Sequence, residues 1–175
     1  MSMKKYRDVP VITVDDDVVY RDDMVQLLYD NHLKHPRTII CGQAKEIQYD
    51  DFGNAEKYRY WKQMVKWNTS NVNLIPNGIG GVLYPTEFCR LVDDSISKYI
   101  LDKDLIIRDD FLLHWLALKN CIGTRLVECH HPHVNFCGFL VVRPIAELAD
   151  NSSGLWRKNA SSNANDKSIW LFNIN

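Results

Sequence analysis

Residues 9–23 read VPVITVDDDVVYRDD, and the fold class turns on how this stretch is understood. An apolar run rich in β-branched residues drives straight into Asp15, Asp16 and Asp17. Short continuous runs of this kind suit a strand buried on both faces of a parallel sheet. Three adjacent carboxylates repel one another, and their pKa values climb unless positive charge sits among them. In α/β sheets ligands bind beyond the carboxyl ends of the strands, which is where the triplet falls. Alternation puts Asp15 and Asp17 on one side and Asp16 on the other. Two carboxylates facing one way make a site for a hard cation, Mg²⁺ or Mn²⁺, with positions left for phosphate oxygens. The plain alternative is helix capping with solvated surface acids, since Asp22 and Asp23 follow at once.

Working outward, DDMVQLLYDNHLKHP (22–36) reads as a helix. Asp22 or Asp23 caps it, Met24, Leu27 and Leu28 give it an apolar stripe, and Pro36 closes it. RTIICGQA (37–44) reads as a second buried strand, which completes a βαβ unit. Residues 45–75 are aromatic and weakly periodic, so a loop with a short helix is expected. NGIGGVLYP (77–85) is a glycine-rich turn entering a strand that Pro85 stops. TEFCRLVDDSISKYI (86–100) and DDFLLHWLALKNCIG (109–123) read as helices, the second with Gly123 as its C-cap. TRLVEC and GFLVVRP are further strands, and the polar tail is helical or irregular. The expected architecture is one α/β domain over residues 1–175, with a mixed sheet.

Composition narrows the function classes. A chain of 175 residues with a net charge of -1 can bury a core, but it lacks the basic surface that nucleic-acid binding by bulk electrostatics requires. No run approaches the roughly 20 apolar residues of a membrane span. The opening MSMKKYRDVP has charge with no apolar core behind it, so no signal peptide is expected. Five scattered cysteines without a CxxC pair read as reduced, mostly buried thiols of a cytoplasmic protein.

Three further features carry possible chemistry. Asp109 and Asp110 follow the apolar run LII and open a helix. Acids there suit the helix dipole, yet Asp110 could equally be a general base for an attacking hydroxyl. Gly80 and Gly81 permit close backbone approach to a ligand, although a tight turn is the commoner reason for paired glycines. CHHPHVNF (129–136) clusters His130, His131 and His133, and imidazoles there could reach a metal or simply line a surface loop. Tyr84 and Trp115 read as core aromatics or as a shelf for an acceptor.

Taken in order, VITVDDDVVY, NGIGGVLYP, RDDFLLHWLALKNCIGTRLV and GLWRKNASSNANDKSIWL resemble a GT-A-type glycosyltransferase of bacterial polysaccharide and glycan assembly. The resemblance runs from about Val11 to about Trp170 and implies a Rossmann-like mixed sheet flanked by helices. It implies that Asp15 and Asp17 match the DXD motif, which holds Mn²⁺ or Mg²⁺ and through it the diphosphate of a nucleotide-sugar. Asp16 is the middle position. His131 and His133 are equal candidates to complete the metal shell. Gly80 and Gly81 match a glycine pair near donor sugar and acceptor. Asp110 matches the acid that deprotonates the acceptor hydroxyl in inverting members, with Asp109 as its supporting neighbour. The implied partners are a nucleotide-sugar donor and a glycan or lipid-linked acceptor, in the cytoplasm and peripheral to the membrane.

A GT-A domain normally places a nucleotide-binding βαβ half before the DXD strand, and about ten residues precede VITV here, against roughly 30 for one such unit. The expectation is therefore a sheet incomplete on its N-terminal side and weak activity alone. An exposed sheet edge would suit pairing with a second copy or a partner subunit. Two rivals remain. VITVDDDVV also fits the opening of haloacid dehalogenase-like phosphatases, with Asp15 as nucleophile and Asp17 as acid/base. The other rival is a non-catalytic remnant that binds metal or a partner.

Overall fold

The computed structural model describes residues 6–64, 70–96, 109–127, 141–144 and 164–171. In chain order its strands are β1 (Val11–Thr13), β2 (Val18–Tyr20), β3 (Ile39–Cys41), β4 (Ala44–Glu46), β5 (Lys62–Gln63), β6 (Leu74–Pro76), β7 (Val82–Tyr84), β8 (Thr124–Leu126) and β9 (Val141–Pro144). Its helices are α1 (Met24–Lys34), α2 (Thr86–Ile96), α3 (Asp109–Lys119) and α4 (Ala164–Leu171). The architecture is mixed α/β. A central sheet runs β1-β7-β3-β8, β2 pairs with β9, and β5-β4-β6 form a third sheet. No helix among the described residues is long and apolar enough to cross a membrane.

The central sheet is mixed because β7 lies antiparallel between β1 and β3, whereas β3 and β8 run parallel. The strand–helix–strand unit read from residues 11–41 therefore exists, but its two strands are not neighbours. This corrects the expected parallel burial of the first strand. At the sheet's edge β1 has one ladder partner, and all three of its residues are only partly buried. β3 and β7, in the interior, are buried at every position.

Alternation along the strands divides the core. Ile40 and Leu83, partners in the ladder, face α1 and pack with Met24, Leu28 and Val127. Ile39, Cys41, Val82 and Tyr84 face the other way, toward Phe88 and Val92 of α2 and Leu113, Leu116 and Ala117 of α3. Tyr84 stacks on Phe88 with ring centroids 5.3 Å apart, so Tyr84 is a core aromatic. Trp115 is partly buried beside the same cluster, with the Lys119 ammonium 4.1 Å from its ring. Helices thus cover both faces of the sheet. Cys41 and Cys89 are buried and Cys121 is exposed; Cys129 and Cys137 lie outside the described residues.

Local signals explain most element ends. Helix α1 starts after Asp23, whose carboxylate makes no capping bond because Arg21 holds it at 2.6 Å. His35 closes the helix, with Pro36 next. Helix α3 ends differently from expectation. Cys121, not Gly123, takes the left-handed conformation at φ 53, and the Ile122 N–H returns to the Ala117 carbonyl. The largest difference is in residues 45–75, where among the described residues the short strands β4, β5 and β6 and a 3-10 turn (Tyr58–Tyr60) stand in place of the expected loop with a short helix. Trp61, Ile47 and Ile75 bury themselves there against Phe111 and Leu112 of α3 and Ile169 of α4.

Candidate active site

The polypeptide after Asn77 makes a 3-10 turn, Gly78–Gly80, and enters β7 through Gly81. Around this turn the acids predicted from opposite ends of the sequence meet. Asp110 is the second residue of α3. Its backbone N–H donates to Asp109 Oδ1 at 3.0 Å. The Asp110 carboxylate turns to the Gly78 turn, where Oδ2 accepts the Gly78 N–H at 3.1 Å. A Cβ on residue 78 would sit 3.1 Å from Asp110 Oδ1 and 3.7 Å from Asp15 Oδ1. Asp15 and Asp110 therefore flank one spot, and any side chain on residue 78 would intrude between them.

Asp15 arrives by an unexpected route. Strand β1 stops at Thr13, so Asp15, Asp16 and Asp17 lie in the link between β1 and β2. Strand alternation does not aim them. The Asp15 N–H donates to the Tyr20 hydroxyl at 3.0 Å, which ties the link back on β2. Asp16 and Asp17 are exposed beside it.

The electrostatics are one-sided. Burial, then Asp109, then Asp15 push the Asp110 carboxyl up to about 7, against a partial pull downward from the Gly78 N–H. Loss of hydration, followed by Asp17, Asp109 and Asp16, raises Asp15. The field reaches the surrounding phenols. Burial and then Asp110 raise Tyr58 to about 12, and the same pair of causes holds Tyr84 well above the ordinary tyrosine range. A carboxyl that titrates near neutrality beside a second one is a common arrangement at catalytic sites.

The predicted glycine pair serves this turn from behind. A Cβ on Gly80 would lie 2.6 Å from both Cβ and N of Gln43, so the turn rests directly on the β3–β4 link. Gly81 has φ 75 and is packed near Met24 and Tyr20. Both glycines are buried, and their visible role is to fix the turn's path. Gly78, which sequence reasoning passed over, is the glycine that touches the acids. Tyr20 and Tyr58 were missed as well, because neither contact follows from spacing. His131 and His133 lie outside the described residues.

The donor set suits a hard divalent cation: oxygen ligands only, and carboxyls raised by one another with no basic group among the causes. Among the described residues no three acidic, histidine or cysteine side chains close on one point as a preformed cage would. The fit is thus one of chemistry and charge. Asp15 and Asp17, on an exposed link, are the groups free to adjust to an ion. Comparison with known proteins adds no relative: no family model, no curated protein and no solved structure matches this chain.

Proposed function

We propose that the protein is a metal-dependent glycosyltransferase of the GT-A type, moving a sugar from a nucleotide-sugar to a glycan or lipid-linked acceptor. The observation that carries this reading is the meeting of Asp15 and Asp110 at the Gly78 turn. In such a reaction the diphosphate side needs positive charge and the acceptor side needs a base, within one cavity. A divalent cation, Mn²⁺ or Mg²⁺, held at Asp15 and Asp17 would supply the charge that a departing diphosphate requires.

The rest falls to the chain's own groups. Asp110 takes the proton from the acceptor hydroxyl. With one oxygen anchored by the Gly78 N–H, its other oxygen has a fixed direction. Its carboxyl, raised to about 7, is basic enough to accept a proton yet half ionised near neutrality. Asp109 adds repulsion that keeps Asp110 basic. Tyr84, buried in the core, lies near enough to feel the Asp110 charge. Gly80 and Gly81 hold the turn that positions the Gly78 N–H.

The test is release of nucleoside diphosphate from a panel of UDP-, GDP-, ADP- and dTDP-sugars, with Mn²⁺ present or chelated. Metal-dependent release from at least one diphosphate donor, or metal-dependent binding of its nucleoside diphosphate, is the expected result. Indifference to metal across the panel, or turnover of an aryl phosphate lost in Asp15→Asn, would overturn the reading in favour of a phosphatase or a remnant.

A further inference from the structure

One half-buried lysine, Lys45, has no part in the transferase reading. Lys45 is opposite Ile75 in the β4–β6 ladder, so both side chains leave the same face of that sheet. This is the face packed on the first turn of α3 through Ile75, Phe111 and Leu112. The Lys45 Nζ lies 3.9 Å from the centroid of the Tyr58 ring. Its ammonium is half-buried, and none of the ion pairs of the described residues includes it. Loss of hydration pushes its pKa down. Holding a lysine partly away from water without an acid partner costs free energy, which the face of the Tyr58 ring offsets only in part.

Tyr58 is held in place from several directions. Its backbone N–H donates to Asp166 Oδ1 of α4 at 2.8 Å. Its ring meets Trp61 at 5.2 Å and Phe111 at 5.8 Å between centroids. Phe111 directly follows Asp110, and the Asp110 charge reaches the Tyr58 phenol, so the pair borders the acid cluster. Among the described residues the Tyr58 hydroxyl makes no hydrogen bond, and it is not a sealed polar atom either. A rigid phenol with an open donor, beside an ammonium held only against that ring, is a ready anion-binding pair.

We propose that Lys45 and Tyr58 form an acceptor subsite that grips an anionic group, a carboxylate or a phosphate, on the sugar presented to Asp110. This rests on the transferase reading of the Gly78 site. The Lys45 ammonium pairs with the anion and the Tyr58 hydroxyl donates to it. Together they offset the repulsion that Asp15, Asp109 and Asp110 would exert on a negatively charged acceptor. A neutral acceptor would leave Lys45 desolvated with nothing in return, so the pair also selects against it.

The experiment is an NMR titration of the full chain carrying ¹³Cε-labelled lysine, without donor or metal. The probes are glucuronate, glucose 6-phosphate and glucose. The expected result is a saturable shift of the Lys45 signal with one or both anions, about tenfold tighter than with glucose. Exposed Lys57 and Lys62 should respond far less. Lys45→Arg should retain the binding, Lys45→Met should lose about tenfold, and Tyr58→Phe should lose several-fold with its packing intact. A response to one anion alone names carboxylate or phosphate as the recognised group. Equal response to glucose, or no saturable shift with either anion, overturns the proposal. Neither result depends on metal-driven donor release, so the subsite and the transferase reading can fail separately.

Discussion

Strand β7 and the turn that leads into it live under opposite physics. At the strand's middle, Leu83 faces α1 in an apolar layer with Ile40, Leu28 and Met24, all at or below 5 % exposure. Just before its start, the Gly78 turn meets Asp110 and Asp15, both raised first by burial and then by neighbouring carboxylates. The first region gains stability from every group that it buries. The second gathers like charges that oppose folding. Only a few residues of chain separate the two, so the apolar layer is what holds the repelling acids in register.

Asp110→Asn breaks the contrast most sharply. The amide can still accept the Gly78 N–H, but it cannot take a proton. Diphosphate release with the best donor should fall by about 10²–10⁴-fold. The same variant should be more stable at pH 8 than the parent. The folded-state carboxyl titrates above its ordinary value, so the folded chain holds a proton that the unfolded chain has lost between about pH 4 and about pH 7. Its favourable contribution is present at low pH and disappears as pH rises through about 7. Removing it should add about 1–2 kcal/mol at pH 8, discounted for the contact that Asp110 keeps with water. Urea unfolding at pH 8 and pH 5 checks both parts, and a gain at pH 5 equal to that at pH 8 would contradict the electrostatic account.

Leu28→Ala attacks the quiet region instead. Leu28 is fully buried where α1 packs on the sheet, and the change should cost about 2–5 kcal/mol by urea unfolding. Binding of Mn²⁺ to the folded fraction should not move. If metal affinity collapses with stability intact, the two regions are coupled in a way the packing does not predict.

A smaller effect concerns His114, buried in α3 with neither ring nitrogen bonded among the described residues. Burial lowers it to about 4. For a base held below its ordinary value the neutral folded form is favoured above the unfolded pKa, and stability drains as pH falls from about 6.5 toward about 4. The loss should approach an order of 2–3 kcal/mol at pH 4. His114→Leu should flatten that limb of the stability–pH curve, as read by thermal melts. An unchanged acid limb in the variant would show that other groups govern it.

The sequence was most legible where one residue type dominates a short run. The apolar runs before Asp15 and in TIIC announced β1 and β3, and acids placed directly after such runs announced Asp15 and Asp110. The antiparallel insertion of β7 was not legible, because a three-residue strand carries no sign of which neighbour it will choose. Residues 45–75 failed for a related reason. β4 and β5 are too short to display alternation, and their aromatic filling by Trp61 and Tyr58 mimics an irregular loop. Gly78 stayed hidden beside the more conspicuous Gly80 and Gly81, since its importance exists only once α3 and the β1–β2 link have arrived. At the end of α3 the presence of Gly123 pointed to the wrong residue. A Cβ there would lie 2.6 Å from Ser70 Oγ, so this glycine answers a packing demand while Cys121 makes the turn.

The placement of β7 between β1 and β3 also bears on how the protein is made. On a ribosome, β1, α1 and β3 emerge before the strand that joins them, and roughly 40 further residues must follow before the sheet can close. Until then the nascent chain carries two unpaired apolar strands and a loose acidic link. Synthesis paused ahead of residue 82 would leave both strands unpaired, whereas a pause after residue 84 would leave a sheet that still lacks Asp110 at its Gly78 turn.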